Sequence, residues 1–552
     1  MTSSPSWEEV PGYSPLWDRG QEFYSWQLQR GGIFPRTVTR SSNYPTQTKM
    51  FSFSKNSLLF YYPIIISITF ISFKWISSRI KTNKNLPPSP PKLPIIGNLH
   101  QLGSSPHRSL HALSQKHGPL MLMQFGSVPV LVASSPETAK EIMKTHDLNF
   151  CNRPKLKIPD ILVYGSNDIT FSPYGDYWRQ VKSIAVIHLL NNTRVQSFRQ
   201  MREKEVASTL DLIEKNSGSL VDLSELLFWL TNNIVCKAAL GRSYRGLKLE
   251  GLLERFVQVL GAVSLGTYIP WLSWVDRLSG LDEKAHQVAK DFDDFLEGVV
   301  AEHVDKRRGV DDENGEDDQD LVDILLDIQR DNTTGFTFHR NTVKALILDV
   351  FAAGTDTTFA SLVWSISELL RHPKVMKKLQ QEVTKIAQGR SMILEKDLDN
   401  MQYLKAIIKE TLRLYPPIPL LIPHESTQDV KILGFDIPAG TQTVVNAWAI
   451  GRDPNVWEDP DEFRPERFLN SSIDYKGLHF ELLPFGGGRR GCPGISFATI
   501  IFELALANVI YKFDLALPDG VKDKDLDMRE KSGVVTLHKK SPLLVVATPH
   551  FH

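Results

Sequence analysis

The chain has little cysteine, three residues in 552. An odd number scattered over that length cannot build a disulfide framework and points to a reducing compartment. It also lacks an excess of either charge. With 63 basic against 63 acidic side chains, a global electrostatic case for a nucleic-acid partner disappears. Internal repeats are absent, which excludes a repeat array. A hydrophobic content of 42% with 23% charged residues is ordinary for a globular protein, and although the length would hold several average domains, no shift in composition marks a second one.

Against that background the run Phe485-Gly486-Gly487-Gly488-Arg489-Arg490-Gly491-Cys492-Pro493-Gly494 carries the most chemistry. Adjacent glycines permit tight turns and close approach to a flat ligand. The arginines supply forked donors for carboxylates. Pro493 is a favoured first helical residue, so the Cys492 thiol is expected at a helix N-terminus, where the macrodipole favours thiolate. Such a loop suits sulfur for iron and guanidinium for propionate. The segment also matches Gly-x-Gly-x-x-Gly through Gly486, Gly488 and Gly491, but a dinucleotide fold needs further βαβ units, for which the remaining chain is too short. Cys151 and Cys236 have no such surroundings and read as small buried hydrophobes. The pattern Phe-x-x-Gly-x-Arg-x-Cys-x-Gly, with Phe485, Gly488, Arg490, Cys492 and Gly494, resembles the haem-binding loop of the cytochrome P-450 family.

Residues 56–76 form an apolar segment, uncharged from Asn56 to Phe73, that as a helix just spans a bilayer with Lys74 snorkelling. A secretory signal is the competing reading, but no small-residue cleavage site follows. Lys74, Arg79, Lys81, Lys84 and Lys92 place the downstream chain on the cytoplasmic side. Residues 85–98 are proline-rich and read as a stiff hinge, with a ligand for a proline-reading module as the alternative. Residues 1–49 fit neither anchor nor domain. Met50 is a natural start for an anchored protein, so the upstream stretch reads as a non-native or disordered extension. A transit peptide competes with that reading, but Glu8, Glu9, Asp18 and Glu22 argue against it. Residues 99–552 then form one domain, mainly α with a small β-sheet region. Helical spacing runs through Val206–Leu240, Thr342–Leu370, Val375–Ile386 and Ile495–Tyr511, with a strand signal at Val128–Val132. The acidic run Asp311–Asp318 reads as a solvated loop.

Within the Thr342–Leu370 pattern an apolar helix abruptly carries Ala353-Gly354-Thr355-Asp356-Thr357-Thr358. A buried acid is costly without a partner or a task, and broken local rules often mark function. Glu410 and Arg413 share a helix face three residues apart, an arrangement that by itself is usually a weak surface pair. Pro465-Glu466-Arg467-Phe468 follows downstream, and Tyr177-Trp178-Arg179-Gln180-Val181-Lys182 precedes both.

Together these resemble the family's oxygen groove, its Glu-x-x-Arg helix, its Pro-Glu-Arg-Phe meander and its propionate-contacting helix, in the family's order from about residue 86 onward. The stretch Pro87–His100 is similar to the plant seventy-one clan. The resemblance implies a cytochrome P-450 fold binding haem b, iron protoporphyrin IX, with Cys492 as axial ligand. It assigns proton delivery to Asp356 and Thr357, and a structural network to Glu410, Arg413 and Arg467. Propionate contacts fall to Arg490, Trp178 and Lys182, the last a lysine where arginine is usual, and to His424. It places pocket-lining segments at Ile158–Tyr174, Phe351–Ala353, Ile418–Ile422 and Val534–Val535, with Phe351, Ala353, Ile418, Leu421 and Val534 as substrate contacts.

The implied activity is insertion of one atom of O2 into a small hydrophobic plant specialised metabolite, of terpenoid, coumarin, phenolic or oxime class. Electrons would come from NADPH through a separate NADPH–cytochrome reductase, at the endoplasmic reticulum membrane, with a single-pass anchor and a cytosolic catalytic domain. A thiolate isomerase or dehydratase and a non-catalytic haem sensor are the alternatives, and the Asp356-Thr357 pair weighs against both.

Overall fold

Helical periodicity carries more than half of the described residues into helices, and two strongly apolar stretches among them become two of the most deeply placed. The computed structural model describes residues 84–244, 249–308, 319–331 and 338–550, together with Tyr62 and Thr69. The chain divides after Phe73, and the fold and the site belong to the unit that begins at Lys74. Apart from Tyr62 and Thr69, the anchor expected at 56–76 lies outside the described residues, as do the 1–49 extension and the acidic run 311–318.

The helices that carry the site are α1 (Asp176–Ala185), α2 (Arg199–Lys215), α3 (Leu223–Leu240), α4 (Arg340–Arg371), α5 (Gln402–Leu414) and α6 (Ile495–Lys512). Among the described residues α4 and α6 are long and apolar enough to cross a membrane, yet most of each is buried inside the protein itself, so both are core helices. α4 packs against α3, α5 and α6. It ends at Arg371 with His372 as its C-cap, immediately before Pro373 opens the next helix, because a residue preceding proline is pushed out of the helical region. The Val206–Leu240 pattern, continuous in sequence, is interrupted in space. Gly218 at φ +74° turns the chain, Leu220–Asp222 pairs as a strand, and the Asp222 carboxylate caps α3 by accepting the Glu225 N–H at 3.1 Å.

The strands are β1 (Leu120–Phe125), β2 (Val128–Ala133), β3 (Leu220–Asp222), β4 (His424–Glu425), β5 (Val430–Ile432), β6 (Phe435–Ile437), β7 (Gln442–Val445), β8 (Phe513–Ala516) and β9 (Leu544–Pro549). They form sheets in the orders β1-β2-β7-β4, β3-β9-β8 and β5-β6. In the first sheet β1 and β2 are antiparallel with Met121 opposite Val132, β7 runs parallel to β2, and His424 of β4 faces Thr443 of β7.

The proline-rich segment does not stand free as a spacer, because backbone and side-chain bonds fix it to this sheet. Leu122 N–H donates to Pro88 O at 2.9 Å, Gln124 N–H donates to Asn98 Oδ1 at 2.8 Å, and a Cβ on Gly97 would lie 2.0 Å from Gln124 O.

Candidate active site

Cys492 sits between the glycine turns and the start of α6, with its N–H donating to Phe485 O at 3.0 Å. Its thiol opens into a cavity of about 300 Å³ bounded by α1, α3, α4, α6, the segment 163–171 and the loop 417–424. Its surface is therefore cavity surface. Burial raises the thiol pKa, against the Gly494 N–H and the Lys182 charge, which lower it. Burial thus opposes the thiolate that a helix N-terminus favours. Phe485 and Gly494 line the cavity and Gly488 does not. A Cβ on Gly488, at φ +63°, would sit 2.3 Å from Met143 O and 2.5 Å from Asp147 Oδ1, so that glycine serves packing of the loop against Met143–Asp147.

Arg489 pairs with Asp147. Arg490 turns inward, donating to Cys151 O and Ser172 O at 2.7 Å and to Ile169 O at 3.2 Å. It stacks 4.0 Å over the Trp178 ring, with Lys182 Nζ 5.0 Å from the same ring. The Trp178 indole N–H is engaged by Ile169 O at 2.9 Å, so this residue acts as a platform for the cations and does not point a donor into the cavity.

Sequence reasoning missed a third buried cation. Arg153 donates to Thr170 O at 2.9 Å and to Ile422 O and Pro423 O at 2.8 Å. Burial lowers Arg153 to about 9, with Arg490 adding to the shift, and burial lowers Arg490 to about 10 and Lys182 as well. Among the described residues none of these three cations has a carboxylate partner. That uncompensated charge fits a ligand bearing carboxylates, and Cys492 on the same cavity fits its metal, so the residues present suit the haem that the motifs imply.

His424, expected as a propionate partner, is buried beside Arg153 and lines the cavity. Burial pushes it to about 3, helped by the Arg153 charge, so the ring is neutral at physiological pH. Nδ1 lies 2.8 Å from Phe150 O and must carry the proton, which leaves Nε2 as an acceptor.

The opposite wall is α4. Ala353, Gly354, Asp356, Thr357 and Thr358 line the cavity. Thr357 Oγ1–H donates to Ala353 O at 2.7 Å, while Asp356 is held by His538, whose Nε2 lies 3.0 Å from Oδ1. Phe351, expected as a substrate contact, does not reach the cavity. It is fully buried on the other face of α4, with ring centroids 6.3 Å from those of Phe292 and Phe295. Ile418 and Leu421 line the cavity, and Val534 is replaced there by its neighbours Val535 and Thr536.

Two carboxyl groups near this wall carried no sequence signal, Asp168 and Asp349. Burial raises both, Asp349 to about 6 and Asp168 well above the carboxylate range. Asp349 accepts the Ile169 N–H at 2.7 Å and the Thr170 hydroxyl at 3.0 Å, tying the segment ahead of α1 to α4.

Glu410, Arg413 and Arg467 meet away from the cavity. Glu410 accepts from Arg413 Nε at 2.7 Å and Nη2 at 2.8 Å, from Arg467 Nε at 3.0 Å and from Arg464 N–H at 2.7 Å. Cys151 and Cys236 are buried, and burial lifts the Cys236 thiol to about 12, so neither competes with Cys492.

Comparison with known proteins agrees with this geometry. A family model described as cytochrome P450 matches residues 87–545. A 3-beta-hydroxylase of Tanacetum parthenium is 54% identical over 91% of this chain and 100% of its own length. Cytochrome P450 71A2 of Solanum melongena is 56% identical over 85% of this chain and 94% of its own. Among solved structures, a zebra fish cytochrome P450 with progesterone superposes with a TM-score of 0.69 at 26% identity, covering 80% of this chain and 99% of that one.

Proposed function

Since the chain belongs to the cytochrome P450 family and is a haem-thiolate monooxygenase of the plant seventy-one type, we propose that it inserts one oxygen atom of O2 into a small hydrophobic specialised metabolite. The observation that carries the proposal is a single cavity with the Cys492 thiol on one wall and the Asp356-Thr357 pair on another. The haem supplies dioxygen activation when bound. Cys492 would hold its iron as the deprotonated thiol. Arg153, Lys182 and Arg490 would face its two propionates from a low-dielectric wall, where cations without a carboxylate partner are costly, and Trp178 keeps the last two in place.

Asp356 and Thr357 hold and pass protons at Oδ and Oγ1, and Ala353 and Gly354 keep the helix surface low beside them. Leu348, Ile418, Leu421 and Val535 provide the apolar enclosure that selects the substrate and excludes water. Terpenoid, coumarin, phenolic and oxime skeletons suit such a wall. A 3-beta-hydroxylase among the relatives favours hydroxylation over rearrangement as the outcome. Electrons come from a separate NADPH–cytochrome reductase, and residues 56–76 anchor the chain in the endoplasmic reticulum membrane with the catalytic domain in the cytosol.

The test is the full chain in microsomes with reductase and a panel of those four classes. NADPH-dependent addition of one oxygen is expected, whereas reductase-independent rearrangement of an oxygenated substrate overturns the monooxygenase reading. Asp356→Asn is expected to lower turnover by about 10- to 100-fold while haem content and the spectral shift on substrate binding stay unchanged. Turnover within twofold of wild type removes Asp356 from proton delivery.

A further inference from the structure

Asp356 is placed in the middle of α4, where a buried carboxylate is expensive unless something meets it. What meets it comes from 182 residues further along the chain. His538 Nε2 lies 3.0 Å from Oδ1 and 3.1 Å from Oδ2, so one ring nitrogen spans both oxygens. The side chains are 15% and 10% exposed, secluded enough that solvent does not screen the contact as it would a surface pair. When Asp356 is ionised its carboxylate only accepts, and the contact then requires the proton on Nε2.

The segment bearing His538 is itself pinned. Leu537 N–H donates to Pro417 O and Trp364 Nε1–H of α4 donates to Leu537 O, both at 2.7 Å, and Lys531 N–H donates to His538 O at 2.8 Å. The imidazole also leans on Phe359, one helical turn from Asp356, with centroids 5.7 Å apart. Val535 and Thr536, just before it, line the same cavity. A ring on a pinned backbone, packed against Phe359 and presenting one donor to both oxygens, restricts the carboxylate more than the helix backbone alone can.

We infer that His538 is the positioning residue for Asp356, fixing the carboxylate in the orientation from which it exchanges protons with the cavity. The inference rests on the proton-delivery reading of Asp356 and adds the residue that makes it directional. His538 does not touch the reacting atoms. It acts through Asp356, and glutamine, whose Nε2 can reach a similar place as a non-titrating donor, should replace it.

The experiment uses the full chain with reductase and no added substrate, reading NADPH oxidation and its solvent deuterium isotope effect. His538→Ala and Asp356→Asn are each expected to slow oxidation about tenfold and to enlarge the isotope effect. His538→Gln should stay within twofold of wild type, and the His538→Ala, Asp356→Asn double variant should be no slower than Asp356→Asn alone. Independently of turnover, ¹⁵N-histidine labelling of the full chain should show the His538 signal, identified by its loss in His538→Gln, as Nε2-protonated and shifted by Asp356→Asn.

A His538→Ala variant that oxidises NADPH like wild type, beside a slowed Asp356→Asn, overturns the inference alone. So does a His538 signal indifferent to Asp356→Asn, a readout that survives even if the alanine variant loses haem. An unchanged Asp356→Asn overturns the proton-delivery reading itself and takes the inference with it.

Discussion

Cys492→Ser should abolish the carbon-monoxide absorption band typical of reduced, thiolate-ligated haem, while leaving the protein folded. Serine is nearly isosteric, and the bond from residue 492 N–H to Phe485 O and the glycine turns at Gly486 and Gly488 involve backbone only. Stability should therefore change by no more than about 1 kcal/mol, read as thermal unfolding of haem-free protein. No other thiol can take over. Cys151 donates its thiol to Leu148 O at 3.3 Å, and Cys236 lies 3.5 Å from Asn232 Oδ1 in the core. A serine hydroxyl does not ionise to a soft anionic ligand at neutral pH, so the loss of the band is expected to be complete. Its survival in the variant would remove Cys492 from the iron.

The second large effect is expected at Glu410. Arg413 uses all five of its N–H donors: two on the Glu410 carboxylate, and three on Gly451 O at 2.5 Å, Pro460 O at 2.6 Å and Glu462 O at 3.0 Å. The Glu410 and Arg413 side chains are wholly inaccessible, and Arg467 is nearly so. Glu410→Ala strands two buried guanidinium groups and leaves the Arg464 N–H without its acceptor. Breaking a buried pair in this way costs about 3–5 kcal/mol, a large part of the roughly 5–15 kcal/mol that holds a domain folded.

The expected result is protein that retains no haem and unfolds at markedly lower temperature. Arg413→Lys should fail similarly, because three donors on a flexible stem cannot serve five acceptors arranged for a planar fork. Haem content equal to wild type in Glu410→Ala would show that the network is dispensable.

These two results rest on different kinds of information. Glu410 and Arg413 are three residues apart on α5, so their shared face was legible in the chain. That the pair is buried, and that it fixes carbonyls from residues 451 to 462, was not. A surface pair and a buried network have the same local spelling, and only the approach of the meander separates them. Likewise Phe351, Ala353 and Asp356 were all placed on the critical helix from sequence, yet Phe351 faces away into the Phe292 and Phe295 cluster. Helical phase near a glycine and several hydroxyls is poorly marked when the helix is apolar nearly all round, as α4 is. Val534 and Val535 illustrate the same point at one-residue resolution.

Charge states depended on the fold more strongly still. A helix start beside Cys492 suggested a thiolate, but burial raises the thiol. His424 stood where relatives often carry arginine, and burial leaves its ring neutral. Desolvation is a property of every chain segment that closes over a group, and no neighbouring residue in sequence reports it.

The sequence by itself determined the family, and it marked the cysteine proposed as ligand and the acid–hydroxyl helix, because each is written in contiguous residues whose chemistry demands that spacing. The tertiary structure alone decided which cations share the wall with Cys492, which side of α4 faces the cavity, and that Asp356 is held by a histidine 182 residues away. Those are matters of distance and burial, which arise only when segments remote in the chain are packed together.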